Sequence, residues 1–243
     1  MIYAYRTEIG RRKTNQDYFF TPEENDHPVV IVADGMGGHR AGNVASLVAV
    51  DSIHEYIESS DIKRPLILLQ HAVNYANQRI FDIASGDDDC MGMGTTAVIA
   101  YCEAEKFTFA NVGDSRLYLF DGDQLRQLTR DHSLVEELVQ AGVITRSQAA
   151  IHPQRNILTR AVGTSQYVKA DTGTIRWTTG DILLLCSDGL HGSVSKEDME
   201  IILKEHDDLL EACDILTETA FENGSSDNIT VVLVKNTEVC YDR

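Results

Sequence analysis

The chain is expected to fold in the α+β class with its strands paired antiparallel, and two observations carry that expectation. Strand-like runs come in clusters: Thr95–Cys102, Lys106–Val112, Ser115–Phe120 and Gln124–Leu128 follow one another across short turns. Helical periodicity is confined to other stretches, so strands and helices do not alternate one for one. Such a meander pairs antiparallel, whereas a parallel sheet needs a long crossover between each pair of strands.

Taken in order, Tyr18–Phe20 and Val29–Ala33 read as strands. Ala41–Glu58 and Pro65–Ala84 follow as amphipathic helices. Pro65 suits a first helical turn, where its missing N–H costs nothing. The polar His71 and Asn74 interrupt the apolar face of that second helix. After the meander, residues 131–162 change character: a short helix runs from about Asp131 through Gln140, Ala141-Gly142 ends it, and the rest is polar and punctuated. This reads as a small mobile insertion on the main body. Asp181–Cys186 and Ile229–Val234 are further apolar strands. Between them lie helices Ser195–Lys204, with Ser195 as N-cap and Asp198 three residues on, and Leu209–Phe221. With 243 residues and no linker, repeat or low-complexity tract, the chain is expected to form a single domain, 1–243, with 131–162 as a subdomain within it.

Composition limits function. Lys plus Arg number 21 against 38 Asp plus Glu, a net charge of −17. That balance excludes nucleic acid as an expected partner, because affinity there rests on cationic contacts to phosphate. It argues equally against anionic membrane surfaces. No signal peptide and no apolar run long enough to span a bilayer is read from the sequence. Five cysteines with no C-x-x-C pair fit reduced thiols in a reducing compartment, so a cytoplasmic location is expected.

The informative pattern is an apolar strand that ends in Asp, repeated along the chain. Val29–Ala33 runs into Asp34-Gly35, Phe107–Val112 into Gly113-Asp114, and Ile182–Ser187 into Asp188-Gly189, while Asp227-Asn228 immediately precedes Ile229–Val234. Asp-Gly is also the commonest two-residue hairpin turn, and Asp121-Gly122 between two strands reads as no more than that. Asp34-Gly35 and Asp188-Gly189 instead lead into helices. Converging carboxylates repel one another unless cations lie among them. Oxygen-only donors select hard ions such as Mg²⁺ or Mn²⁺, and no Cys/His cluster suggests zinc. A two-metal hydrolase fits this donor set. A phosphoryl substrate would also need a cation, for which the run Arg11-Arg12-Lys13 stands close to Asn15-Gln16-Asp17.

Several segments, in this order, resemble the motifs of bacterial type 2C protein phosphatases. They are Arg12-x-x-Asn15-Gln16-Asp17, Val32-Ala-Asp-Gly-Met-Gly-Gly-His39, Met93-Gly-Thr-Thr96, Asn111-Val-Gly-Asp-Ser-Arg116, Leu128-Thr-Arg-Asp-His132, Leu158-Thr-Arg-Ala-Val-Gly163, Ser187-Asp-Gly-Leu190 and Ser226-Asp-Asn-Ile-Thr230. The resemblance covers roughly Glu8 to Val234. It implies a four-layer α-β-β-α sandwich of two antiparallel sheets flanked by helices, with residues 131–162 as a flap beside the active site. It implies that Asp34 bridges two Mn²⁺ or Mg²⁺ ions, that Gly35 offers its carbonyl, that Asp188 and Asp227 complete the first site, and that Asp114 with Asp188 holds a third ion. Arg12 would bind phosphate, Asp17 would orient metal-bound water, and His39 is the candidate acid for the leaving alkoxide. The implied reaction is hydrolysis of phosphoserine and phosphothreonine in proteins by direct attack of a bridging hydroxide, without a phosphoenzyme. A cognate Ser/Thr kinase as partner and a monomeric state follow from the same resemblance. Gln16 departs from the pattern of many animal members, which carry an acidic residue there, and this puts the affinity of the second metal in question.

Three other readings fit less well. A two-metal phosphodiesterase or nuclease would want a basic groove. A non-catalytic phosphoprotein binder would be expected to have lost Asp34, Asp188 or Asp227. A nucleotide binder would need G-x-G-x-x-G or P-loop spacing, which neither glycine cluster has. His54 and His71 are expected to be surface or packing residues, while His132 and His191 stand near motif segments and are candidates for the site wall.

Overall fold

The computed structural model describes residues 1–23, 26–37 and 41–237. In chain order the strands are β1 (Ile2–Glu8), β2 (Asp17–Phe20), β3 (Val29–Met36), β4 (Gly94–Thr95), β5 (Ala97–Cys102), β6 (Lys106–Val112), β7 (Arg116–Phe120), β8 (Leu125–Gln127), β9 (Asp171–Arg176), β10 (Ile182–Cys186) and β11 (Ile229–Lys235). They form two antiparallel sheets. One has the order β1-β11-β10-β7-β8; the other runs β2-β3-β5-β6-β9, with β4 paired to the end of β3. Helices α1 (Ala41–Ser59) and α2 (Pro65–Gly86) cover the second sheet, and α6 (Lys196–Glu205) and α7 (Leu209–Glu222) cover the first. The architecture is the α+β sandwich expected from the sequence.

The continuous apolar runs follow from this layering. A strand covered on both faces cannot alternate apolar with polar residues. In β3, Val29, Ile31 and Ala33 pack under α1 and α2, while Val30 and Val32 face the other sheet. In β10 and β11, Leu183, Leu185, Val232 and Val234 meet them across the sandwich, and Leu184, Val231 and Leu233 lie beneath α6 and α7. Phe107 and Trp177 close one part of the inter-sheet core edge to face, with centroids 5.4 Å apart. Each such side chain contributes about 1.5–3 kcal/mol by leaving water, so both sheets are held chiefly by their interiors.

Two strands went unread in the sequence, and both are at sheet edges. β1 buries only Ala4, and β9 buries none of its residues fully. With little apolar surface to hide, neither shows a hydrophobic signature. The run Thr95–Cys102 is divided: Thr96 stands between β4 and β5. β3 continues past Asp34 to Met36, so Asp34 lies within a strand rather than just beyond one. The stretch after Ser187 is itself a short helix, α5 (Asp188–His191).

The polar residues of α2 have a structural use that the periodicity left open. The Asn77 side chain is buried, donates to Ser165 O (2.8 Å) and accepts from Gly163 N (2.7 Å). Gln70 likewise donates to Val168 O (3.2 Å) and accepts from Ala170 N (3.1 Å). Both hold residues 163–170 against the helix. Asn77→Ala is expected to cost about 1–3 kcal/mol, since it leaves the buried Gly163 N–H unpaired and frees the Ser165 carbonyl. Chemical denaturation would show a lower midpoint with an unchanged m-value.

Residues 131–162 carry α3 (Leu134–Gln140), capped by Ser133, and α4 (Arg146–Ala150), whose start is a capping box at Thr145 and Gln148. Their two ends meet, Leu134 N donating to Ile157 O (2.8 Å) and Thr159 N to His132 O (2.8 Å). His132 is buried at the root of this segment. Its Nδ1 accepts from Gly113 N (3.0 Å), so Nε2 carries the proton and donates to Asp171 Oδ2 (3.1 Å). Asp171 also accepts from Arg160 (2.8 Å). His132 therefore ties the insertion to the sheet instead of forming part of a site wall.

Candidate active site

The aspartates collect at one end of the sandwich because the strands that carry them end, or begin, together. Asp17 and Asp34 are direct partners across β2 and β3. Asp188 opens α5 at the end of β10, and Asp227 precedes β11, the neighbour of β10. Asp114 lies in the β6–β7 turn.

Polar residues from the motif segments hold this end of the sandwich. The Asp34 N–H donates to Thr96 Oγ1 (2.8 Å), and the Asp34 carbonyl accepts from Thr95 Oγ1 and Thr96 N (both 2.8 Å). Thr96 Oγ1 also lies 2.7 Å from Ser115 Oγ. Ser187 Oγ donates to Asp17 Oδ2 (2.7 Å) and accepts from Thr230 N (3.0 Å), so one hydroxyl joins three strands. Asn228 does the same for the loop between β1 and β2. Its Nδ2 donates to Ile9 O (2.9 Å) and Thr14 O (3.0 Å), and its Oδ1 accepts from Gln16 N (2.8 Å). Gly10, at φ 59°, presses that loop onto the Asp227 carbonyl so closely that a Cβ would collide with it.

Arg12 is placed by the same loop. Its Nη2 donates to Asp227 Oδ2 (2.5 Å) and its Nε to Ser226 O (3.2 Å), with Nη1 turned to neither. Gln16 uses its backbone, accepting from Gly35 N (3.0 Å), while its side chain lies against α1, where a Cβ on Gly42 would fall 2.5 Å from Nε2. Gly35 itself sits where a Cβ would strike the carbonyl of Gly42. His39 lies outside the described residues.

The electrostatics follow from crowding. Burial first, then repulsion from Asp188 and Asp227, pushes Asp17 up to about 7. Burial and Asp188 push Asp114 up to about 8, and burial and Asp227 push Asp188 up to about 6. Asp34 is raised well above the usual carboxylate range by burial and by Asp17, Asp188, Asp114 and Asp227. Among the described residues no three Asp, Glu, His or Cys side chains close on one point as a finished cation shell. The donor set nonetheless fits divalent cations. It is all oxygen, and the buried Oδ1 atoms of Asp17 and Asp188 have no hydrogen-bond partner. Uncompensated buried carboxylate oxygens are costly unless a cation satisfies them.

Beside the aspartates lies a cleft of about 340 Å³, lined by Asp114, Asp188 and Asp227 from the sandwich and by Arg146, Arg155 and Asn156 from residues 131–162. His191 also lines it. Its Nε2 lies 3.0 Å from Asp114 O, and burial, followed by the Arg116 charge, pushes its pKa down to about 3. At neutral pH it is a neutral donor to that carbonyl, not an acid.

Comparison with known proteins agrees with this arrangement. The protein phosphatase 2C family profile matches residues 6–226. The chain is 45% identical to the serine/threonine phosphatase stp of Listeria innocua over 237 residues, 95% of this chain and 94% of that protein. Its structure resembles that of Staphylococcus aureus serine/threonine phosphatase Stp1, with a TM-score of 0.90, 33% identity, and 96% and 94% of the two chains covered. It also resembles the catalytic domain of the phosphatase PstP in complex with two manganese ions, with a TM-score of 0.88, 31% identity and 98% of each chain covered. The chain belongs to the protein phosphatase 2C family and is an enzyme of the serine/threonine phosphatase class.

Proposed function

We propose that this enzyme removes phosphate from phosphoserine and phosphothreonine in proteins by a single direct displacement by water, at a centre of two or three Mn²⁺ or Mg²⁺ ions held by Asp34, the Gly35 carbonyl, Asp188, Asp227 and Asp114. The observation that carries the proposal is the pair of buried, unpartnered oxygens on Asp17 and Asp188 within a ring of mutually repelling carboxylates. Bound there, the ions would supply hydroxide near neutral pH and neutralise the phosphoryl charge.

The chain's own residues supply the rest. Arg12 offers Nη1 to a phosphoryl oxygen while Nη2 and Nε stay anchored on Asp227 and Ser226, which fixes the guanidinium before substrate arrives. Asp17, held at Oδ2 by Ser187, presents its free Oδ1 as an acceptor that orients water for attack. Residues 131–162 act as the flap that forms the far wall of the cleft. His39 is the proposed donor to the leaving alkoxide.

Direct displacement needs no nucleophile from the protein, and three of the cysteines are not placed to serve as one. Cys102, Cys186 and Cys213 are buried in the cores, and burial raises their thiol pKa values. Among the described residues no cysteine lines the cleft. Phosphate release from a phosphothreonine peptide is expected with Mn²⁺ and is expected to cease with EDTA. Rapid quenching of the reaction with radiolabelled peptide should leave no label on the protein, and an acid-stable labelled protein during turnover would overturn the direct route.

A further inference from the structure

The cleft holds three arginines, and their partners divide them sharply. Arg116 makes a two-pronged contact with Asp131, Nε to Oδ1 at 2.9 Å and Nη2 to Oδ2 at 2.7 Å, and also donates to Tyr118 OH. Arg146 donates to Glu136 Oε2 at 3.1 Å. Arg155 has no carboxylate within 4.0 Å and no side-chain hydrogen bond among the described residues. In a chain of net charge −17, the flap end of this cleft therefore carries one uncompensated cation.

Its backbone is held in place. Successive turns run through it, with His152 N donating to Ala149 O (3.2 Å), Arg155 N to His152 O (3.1 Å) and Ile157 N to Gln154 O (3.2 Å), and Gln154 N donates to His152 Nδ1 (3.1 Å). The loop is then fastened to α3 through Leu134 N and Ile157 O. A side chain on a tied backbone loses less freedom on binding than one on a free chain.

We propose that Arg155 forms a subsite for an anionic group flanking the phosphorylated residue, so that the enzyme favours phosphopeptides with a neighbouring carboxylate or second phosphate. This rests on the phosphatase reading above. A phosphoryl group at the aspartate end directs the adjoining chain of the substrate along the cleft towards the flap. The planar guanidinium fork meets a carboxylate or a phosphate with two parallel hydrogen bonds. Arg116 and Arg146 are spent on Asp131 and Glu136, which leaves the recognition to Arg155. The same charge offsets, at the point of contact, the repulsion that an acidic enzyme would exert on an anionic phosphoprotein.

The test uses phosphothreonine peptides that differ only by Glu, Gln or Lys at each flanking position in turn, with a further peptide carrying a second phosphothreonine. Wild type is expected to favour Glu over Gln at one or two positions by about 3–10-fold in kcat/KM, largely through KM. The second-phosphate peptide shows which anion the subsite prefers. Within each variant the ratio cancels any general loss of activity. Arg155→Ala should bring the Glu-to-Gln ratio to about one, Arg155→Lys should keep part of it, and Arg155→Glu should shift preference to the Lys peptides. A wild-type enzyme that turns over p-nitrophenyl phosphate yet ignores the flanking charge, or a preference that survives in Arg155→Ala, overturns the subsite alone. Failure of wild type on every phosphorylated substrate overturns the phosphatase reading with it.

Discussion

Asp188→Asn is expected to lower Mn²⁺-dependent phosphate release by about three orders of magnitude, ~4 kcal/mol of lost transition-state stabilisation, and at the same time to raise the melting temperature of the metal-free protein. The two effects have one cause. Asp188 is half-buried, faces Asp34 and Asp227, and has a buried Oδ1 without a partner. A neutral amide removes a donor that the proposed ions need, and with it a charge that the fold holds unfavourably when they are absent. Each kcal/mol of repulsion relieved should raise the melting temperature by about 2–4 °C in a chain of this size. Wild type should be stabilised by Mn²⁺, by about 2.7 kcal/mol at one hundred times the dissociation constant, and the variant much less. A variant that loses activity without gaining metal-free stability would contradict this account of the cluster.

The same cluster sets a pH dependence. The carboxyls of Asp17, Asp114 and Asp188 are raised from 3.8 to about 7, about 8 and about 6. An acid with a raised folded-state pKa binds its proton more tightly folded than unfolded. Its contribution to stability is full below about pH 4 and declines as pH rises through the folded value. With EDTA present, the melting temperature should therefore fall between about pH 5 and pH 8, and saturating Mn²⁺ should flatten that slope.

Asn228→Ala is expected to be the most destabilising of the substitutions considered, at about 3–4 kcal/mol. The side chain is buried and satisfies Ile9 O, Thr14 O and Gln16 N together, so alanine leaves three backbone groups unpaired. Activity should fall beyond what unfolding explains, because these bonds seat the loop that aims Arg12 at Asp227. Asn228→Asp makes a sharper test. It keeps the acceptor for Gln16 N but loses both donors and places a charge beside Asp227, so it should be no more stable than the alanine variant. Urea denaturation, with kcat/KM measured well below the midpoint, separates the two effects.

The value of Asn228 was hidden in the sequence, where it looked like the companion of Asp227 before a strand. Its partners stand more than two hundred residues away in the chain, and no local pattern encodes such a reach. The same holds for Ser187 on Asp17 and for Arg12 on Asp227, separated by 170 and 215 residues. His132 illustrates the opposite case. Its place in a motif suggested the site, but its ring is spent on Gly113 and Asp171 at the root of the 131–162 segment.

From the sequence alone came the α+β class, the helix pairs, the apolar runs of β3, β10 and β11, and the aspartates that stand in or beside them. All of these are local: periodicity reports which faces an element buries, and an Asp after an apolar run reports a carboxylate at the rim of a core. Only the tertiary structure decided that β1 and β9 exist, that Asp17 lies opposite Asp34, and that, among the described residues, Arg155 alone of the cleft arginines is left unpaired. Edge strands bury too little to leave a pattern, and pairing is a property of two distant segments, selected by how whole sheets pack together.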